Sequence, residues 1–170
     1  NLVSKTIEGG EGTLTLDASH LQFSFGNTIL TSRLIEENYP NYESVIPLDN
    51  DKQLTVNRDL LLASVRRVSL YSNATTRQVR FFLKKNEMRI AAEDIDFGGE
   101  AREKVHCDYN SEELEIGFNS GYVTDMLSHM DADEIVFKFS SPVRAAILSP
   151  AKPRDNEDIL MLVMPMRLNA

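Results

Sequence analysis

The chain has 170 residues, 42% of them hydrophobic and 26% charged, which suits a folded domain and excludes a disordered tail. Eighteen basic residues against 26 acidic ones give a formal charge of −8, so nucleic acid would have to meet a local basic face and not the surface at large. No apolar run approaches the ~20 residues that cross a bilayer, and the single cysteine, Cys107, excludes an internal disulfide and a cysteine-built metal site.

The first residue is Asn1, and Asn1-Leu2-Val3-Ser4-Lys5 lacks the apolar core of a signal peptide. We expect a cytoplasmic chain that begins partway through a longer protein, with Leu2, Val3 and Ile7 closing a helix. Alternation of apolar and polar residues predicts three antiparallel strands over residues 11–35: Gly12 to Leu16, His20 to Phe25 and Thr28 to Leu34. Residues 36–50 have linker composition, with Pro40 and Pro47, and Tyr39, Tyr42, Val45 and Ile46 are expected to pack it down. Gln53 to Val56 reads as a strand. Asn57 then caps a helix to about Leu70, closed by Asn73. Three strands follow: Val79 to Leu83, Glu87 to Ala92 and Ala101 to Tyr109, with an acidic loop at Ile95 to Glu100. The order then returns. Glu113 to Phe118 is a strand, Asn119 opens a helix to about Met130, and Glu134 to Ser140, Val143 to Leu148 and Ile159 to Met164 are strands. A unit of strand, helix and three strands thus occurs twice in residues 52–168, and residues 11–35 resemble its last three strands. Two such units would set their helices side by side against two sheets.

No catalytic set is visible. His106 and Cys107 are neighbours in a strand and point to opposite faces, so they cannot serve one substrate. His20 starts a strand, and His129 suits a helix C-terminus. Gly9-Gly10 and Gly98-Gly99 fit no phosphate-binding loop, and Asp94 and Asp96 belong to a solvated acidic loop. We expect no cofactor and no metal. Arg66 and Arg67, on the first helix, have the chemistry to track a DNA backbone, and equally to form ion pairs. The terminal run Leu160 to Leu168 carries three methionines around Pro165, a deformable apolar wall or a plain core strand.

Three segments are recognisable. Met164-Pro165-Met166-Arg167-Leu168, the run Tyr39 to Pro47, and Glu115-Ile116-Gly117-Phe118-Asn119 resemble, in order and spacing, the bacterial DNA polymerase III beta subunit, the sliding-clamp family. The resemblance implies an α+β DNA-clamp fold, with antiparallel sheets outside and helices on the inner face. Residues 1–46 would be the C-terminal half of the second clamp domain, and residues 47–170 the third domain. It further implies a non-catalytic processivity factor of DNA replication, whose full-length homodimer is a ring around duplex DNA. Its partners would be the DNA polymerase III alpha subunit, the clamp loader and other proteins bearing a clamp-binding motif, held by a peptide pocket.

Carried over residue by residue, the wall of that pocket is expected to include Pro40, Val45, Asn119 and Tyr122. Val143, Ala145 and Leu162 would join them, with Met164, Pro165, Met166 and Arg167 completing it. Arg66 and Arg67 would face DNA. Leu70 and Tyr71, with Glu100 and Glu103, would meet the other subunit. The rival reading is an α+β ligand-binding or enzymatic domain outside the family. Arginines gathered on the shared face of the two helices would favour the clamp, and dispersed arginines the rival.

Overall fold

In the computed structural model residues 11–168 are described, together with Val3 and Lys5. Leu2 and Ile7, expected to close a helix, lie outside the described residues. The chain parts into two units, residues 1–42 and 43–170, four residues before the expected boundary. The 3-10 turn Tyr42–Val45 straddles this point.

In the first unit, β1 (Gly12–Leu16), β2 (His20–Phe25) and β3 (Thr28–Arg33) form an antiparallel meander. Asp17 closes the first turn by accepting the N–H groups of Ser19 and His20 at 2.7 and 2.6 Å. Those backbone donors hold its carboxyl below the ordinary value. Gly26, at φ +52°, makes the second turn. In the connecting segment Tyr39 and Tyr42 are exposed, as is Val45, and only Ile46, Pro47 and Asn50 are partly covered. The expectation of a packed-down linker is therefore corrected. The two tyrosine rings pack edge to face on each other at 6.2 Å, and not into a core.

The second unit has the doubled order. β4 (Lys52–Asn57) leads into α1 (Arg58–Ser69), and Asn57 Oδ1 caps it by accepting the Leu60 N–H at 2.9 Å. Leu61, Leu62, Val65 and Val68 recur at helical spacing and are buried, while Leu60 is exposed. Leu70 ends the helix; Asn73, expected to close it, instead accepts the N–H groups of Thr75 and Thr76 in the following turn. β5 (Gln78–Lys84), β6 (Glu87–Asp94) and β7 (Gly99–His106) follow. β9 (Leu114–Asn119) leads into α2 (Ser120–His129), and β10 (Glu134–Phe139), β11 (Ala146–Pro150) and β12 (Met161–Val163) complete the unit.

One sheet runs β7-β6-β5-β9 and the other β12-β11-β10-β4-β8, where β8 is Asp108–Tyr109. The predicted single strand Ala101 to Tyr109 is therefore two strands in two sheets. β7 ends at His106, buried Cys107 turns inward, and Tyr109 pairs with Leu54 of β4 while its hydroxyl donates to the Glu112 carbonyl at 2.5 Å. Alternate residues of both sheets face one core with the buried stripes of α1 and α2. Phe118 stands at its centre, with Phe81, Phe137 and Phe139 at centroid distances of 5.4, 6.0 and 6.5 Å. The two helices pack on each other, as expected from the doubled unit.

Two further corrections concern the ends of strands. Val143 lies in a turn, because Ser141-Pro142 breaks the ladder and β11 begins only at Ala146. Met164 is beyond β12, which stops at Val163 because Pro165 has no N–H to continue it. Met164 and Met166 therefore do not share a strand face. The chain instead changes sheet, and Met166 forms a bridge with Gly117 of β9.

Candidate functional site

The C-terminal segment is positioned by backbone contacts before any side chain is considered. Ala146 pairs with Val163, so the turn holding Val143 and Ala145 leaves the sheet where Met164 leaves it. Asn50 donates to the carbonyls of Lys138 and Ala145, each at 3.1 Å, and Arg144 pairs with Asp49. The turn is thus tied to the segment before β4. Further on, the Met166 N–H donates to the Gly117 carbonyl at 2.8 Å and Gln78 Nε2 donates to the Arg167 carbonyl at 3.2 Å. Gly117 is required by close approach: a Cβ there would stand 2.7 Å from Leu168 Cδ2 and 3.1 Å from the Met166 carbonyl.

The first turn of α2 is fixed in the same way. Asn119 Oδ1 accepts the Gly121 N–H at 2.9 Å, its Nδ2 donates to the Thr76 carbonyl at 3.2 Å, and the Ser120 N–H donates to the Arg77 carbonyl at 2.8 Å. The helix packs against β12. On these anchored ends three large apolar side chains are left in water: Tyr122 is 67% exposed, Val143 62% and Met164 60%. Ala145, Leu162, Pro165 and Met166 are partly buried and Arg167 is exposed. Pro40 lies in the first unit, and Val45 ends the 3-10 turn with its side chain in solvent.

The expected DNA-facing pair divides. Arg66 reaches across to α2, donating to Ser128 Oγ at 3.2 Å, and has no carboxylate partner among the described residues. Arg67 turns to β7 and binds Glu103 through two bonds of 2.7 Å. Arg58 pairs with Asp59 at 2.9 Å and donates to the Ala132 carbonyl. These arginines are dispersed, the arrangement expected of the rival reading, so that expected discriminator points the wrong way for the family found below. Of the expected interface residues, Leu70 and Tyr71 are exposed at the end of α1. Glu103 is already held by Arg67 and by the hydroxyl of buried Ser64 at 2.7 Å, which keeps its carboxyl below the ordinary range. Glu100 pairs with Arg102.

Comparison with known proteins decides the family. The model of the DNA polymerase III beta subunit, C-terminal domain, matches residues 43–167. The chain belongs to the DNA polymerase III beta subunit family. The beta sliding clamp of Pseudomonas aeruginosa is 33% identical over 163 residues, covering 96% of this chain and 43% of that protein. The Escherichia coli K12 beta sliding clamp is 30% identical over 166 residues, at 96% and 44% coverage. A crystal structure of the Pseudomonas aeruginosa clamp superposes with a TM-score of 0.83 at 33% identity, covering 96% of this chain and 43% of that one. The Bartonella birtlesii clamp bound to griselimycin gives a TM-score of 0.82 at 36% identity, covering 98% and 44%. The fold is that of the sliding clamps. The chain spans less than half the length of these curated relatives.

Sequence reasoning missed the residues that hold the site from beneath, namely Asn50, Gln78, Thr76 and Gly117. Only Gly117 carried a signal, a glycine inside an apolar strand. Among the described residues no three His, Cys, Asp or Glu side chains gather as a metal site, and no helix is long and apolar enough to cross a membrane. Burial, with Asp108 and Glu87 nearby, pushes the Cys107 thiol up to about 11, which makes it a poor nucleophile.

Proposed function

We propose that the chain is the C-terminal part of a sliding clamp: a non-catalytic processivity factor whose full-length homodimer encircles duplex DNA without reading its sequence. The third clamp domain would begin near residue 47, and residues 1–46 would complete the domain before it. Leu70 and Tyr71, flanked by Glu100 and Glu103, are the proposed contact with the other subunit. Arg66 is the stronger candidate for a DNA contact and Arg67 the weaker, since Arg67 must first leave Glu103. The net charge of −8 suits this role, because a ring that slides should not grip the backbone.

The cluster at the end of the chain is the proposed peptide pocket, through which the polymerase alpha subunit, the clamp loader and other motif-bearing proteins would be tethered. One observation carries it. Tyr122, Val143 and Met164 are large and apolar, yet they stand in water on backbone held by hydrogen bonds. Asn119 and Arg167 would give it polar edges, Ala145, Leu162, Pro165 and Met166 its floor, and Val45 is proposed as a further wall residue. A leucine and an aromatic ring buried there would contribute ~1.5–3 kcal/mol each, which after association costs leaves affinity in the micromolar range.

Calorimetry with a short peptide carrying a leucine and a phenylalanine tests this. Met164→Ala should weaken binding by about tenfold or more, whereas Glu43→Ala, an exposed charge, should leave it near the starting value. An unchanged affinity for Met164→Ala would remove the pocket assignment and return the C-terminal run to a purely structural role.

A further inference from the structure

The outward face of the sheet β7-β6-β5-β9 carries a second feature, unrelated to the peptide cluster. Arg80, Phe82, Arg89, Ala91, Glu93 and Arg102 line one cleft of about 110 Å³, closed by Ala92 and Glu100. The sheet register explains the convergence. Arg80 stands opposite Ala91, Ala91 opposite Arg102, and Phe82 opposite Arg89. The small side chain of Ala91 leaves the space that the three arginines surround.

Two of the three guanidinium groups are already neutralised. Arg80 binds Glu93 at 2.7 Å and Arg102 binds Glu100. Arg89 has no carboxylate within ion-pair distance among the described residues. Its guanidinium carbon lies 4.3 Å from the centroid of the Phe82 ring, and its Nε is buried without a hydrogen-bond partner. Glu87, on the same strand, is taken by Lys84 and Lys104 at 3.2 and 3.4 Å. Glu113 and Glu115 line a neighbouring cleft that Arg89 also borders, and neither reaches it.

The geometry points to a binding site for a single carboxylate in this cleft, with Arg89 as its principal ligand and Phe82 holding the guanidinium plane in place. Three features select that chemistry. A guanidinium stacked on a ring keeps its in-plane donors free, and these match the two oxygens of a carboxylate. Three cations and two anions line the cleft, so one positive charge is left over, which a monoanion balances and a phosphate dianion exceeds beside Glu93 and Glu100. The volume corresponds to about three or four waters at ~30 Å³ each. It admits a carboxymethyl group and is far below the ~300–1,000 Å³ of a nucleotide-sized pocket. The carboxylate can come from a free small acid or from an acidic side chain of a protein, and the two are separable by experiment.

The test uses the ¹⁵N-labelled 170-residue chain and follows, at constant ionic strength, the backbone amide resonances of Arg80 and Phe82, which line the cleft and are kept in every variant, with the Arg89 Nε–H resonance as a second readout in the parent. The probes are acetate, the capped peptide acetyl-Gly-Asp-Gly-amide, and inorganic phosphate. A saturable shift with acetate or peptide is expected. Tighter binding of the peptide than of acetate would assign a protein-borne carboxylate, and equal binding a free one. Arg89→Lys keeps the charge and loses the planar fork, so affinity should fall about tenfold. Ala91→Leu fills the space without touching Arg89 and should abolish the shift. Unchanged circular dichroism melts would show that both variants fold. The proposal is overturned by a linear, non-saturating response to both carboxylates, by equal affinity in Arg89→Lys, or by phosphate binding more tightly than acetate.

Discussion

Gly117→Ala is the sharpest perturbation of the way this chain ends, because two effects of opposite sign meet at one atom. Replacing a strand glycine whose backbone conformation any residue adopts ordinarily stabilises a protein by ~0.4–1 kcal/mol, through the unfolded chain. Here the new methyl would stand 2.7 Å from Leu168 Cδ2, 3.0 Å from Gln78 Nε2 and 3.1 Å from the Met166 carbonyl. The first two neighbours are ends of side chains and can move. The third is backbone, held by the 2.8 Å bond from the Met166 N–H to the Gly117 carbonyl. Relieving the contact means lifting the segment from Met166 to Leu168. That gives up this hydrogen bond, at about 1 kcal/mol, together with the bond from Gln78 to the Arg167 carbonyl. Overpacking of this kind costs ~1–3 kcal/mol, which exceeds the entropic gain. At roughly 2–4 °C per kcal/mol for a chain of this size, the melting temperature should fall by about 2–10 °C. The same displacement should weaken the leucine–phenylalanine peptide, since Met166 lies on the lifted segment and Met164 only two residues before it. Differential scanning calorimetry and peptide titration on one preparation check both. A variant that melts higher than the parent and binds peptide equally well would refute the idea that the C-terminal run is seated on Gly117.

Two further outcomes follow from charge and burial. The Glu103 carboxyl is lowered by Arg67 first and by Ser64 after it, so its contribution to stability is present above the unfolded value of ~4.3 and is lost as pH falls through the lower folded value. Glu103→Gln should therefore melt lower than the parent at pH 7, with the gap narrowing as pH falls below the unfolded value, and a gap that does not narrow on acidification would contradict the ion-pair account. Cys107, with its thiol near 11, should react with iodoacetamide at pH 8 about two orders of magnitude more slowly than an unperturbed thiol; alkylation at the free-cysteine rate would mean that the strand break at Cys107 opens to solvent.

What the sequence revealed and what it concealed divide along one physical line. Period-two and period-3.6 patterns are local, and they placed the three strands of the first unit, α1 with its Asn57 cap and α2 with its Asn119 cap to within a residue or two. Side-chain alternation continues through a change of sheet, so Ala101 to Tyr109 looked like one strand although β7 and β8 belong to different sheets. The linker tyrosines read as core because they are apolar, yet they cover each other. Pairing of charges was equally hidden. Arg66 and Arg67 are adjacent and chemically identical, but a step of 100° around the helix sends one toward Ser128 and the other to Glu103.

The candidate site shows why Leu160 to Leu168 is largely apolar without being a core strand. Only Met161–Val163 are in the sheet. After Pro165 interrupts the ladder, the chain needs another acceptor for its backbone, and β9 can offer one only where it lacks a side chain, at Gly117. A chain crossing from one sheet to the other is held by its backbone, so its side chains are not all required for the fold. Val163 is buried and belongs to the core, whereas Met164 is 60% exposed with Tyr122 and Val143 likewise uncovered. An apolar side chain on anchored backbone has already lost much of its conformational entropy, so covering it recovers hydrophobic free energy at little further ordering cost. That arrangement would suit a short partner segment bound and released repeatedly, and the proposed pocket would then draw on residues that the fold itself does not need.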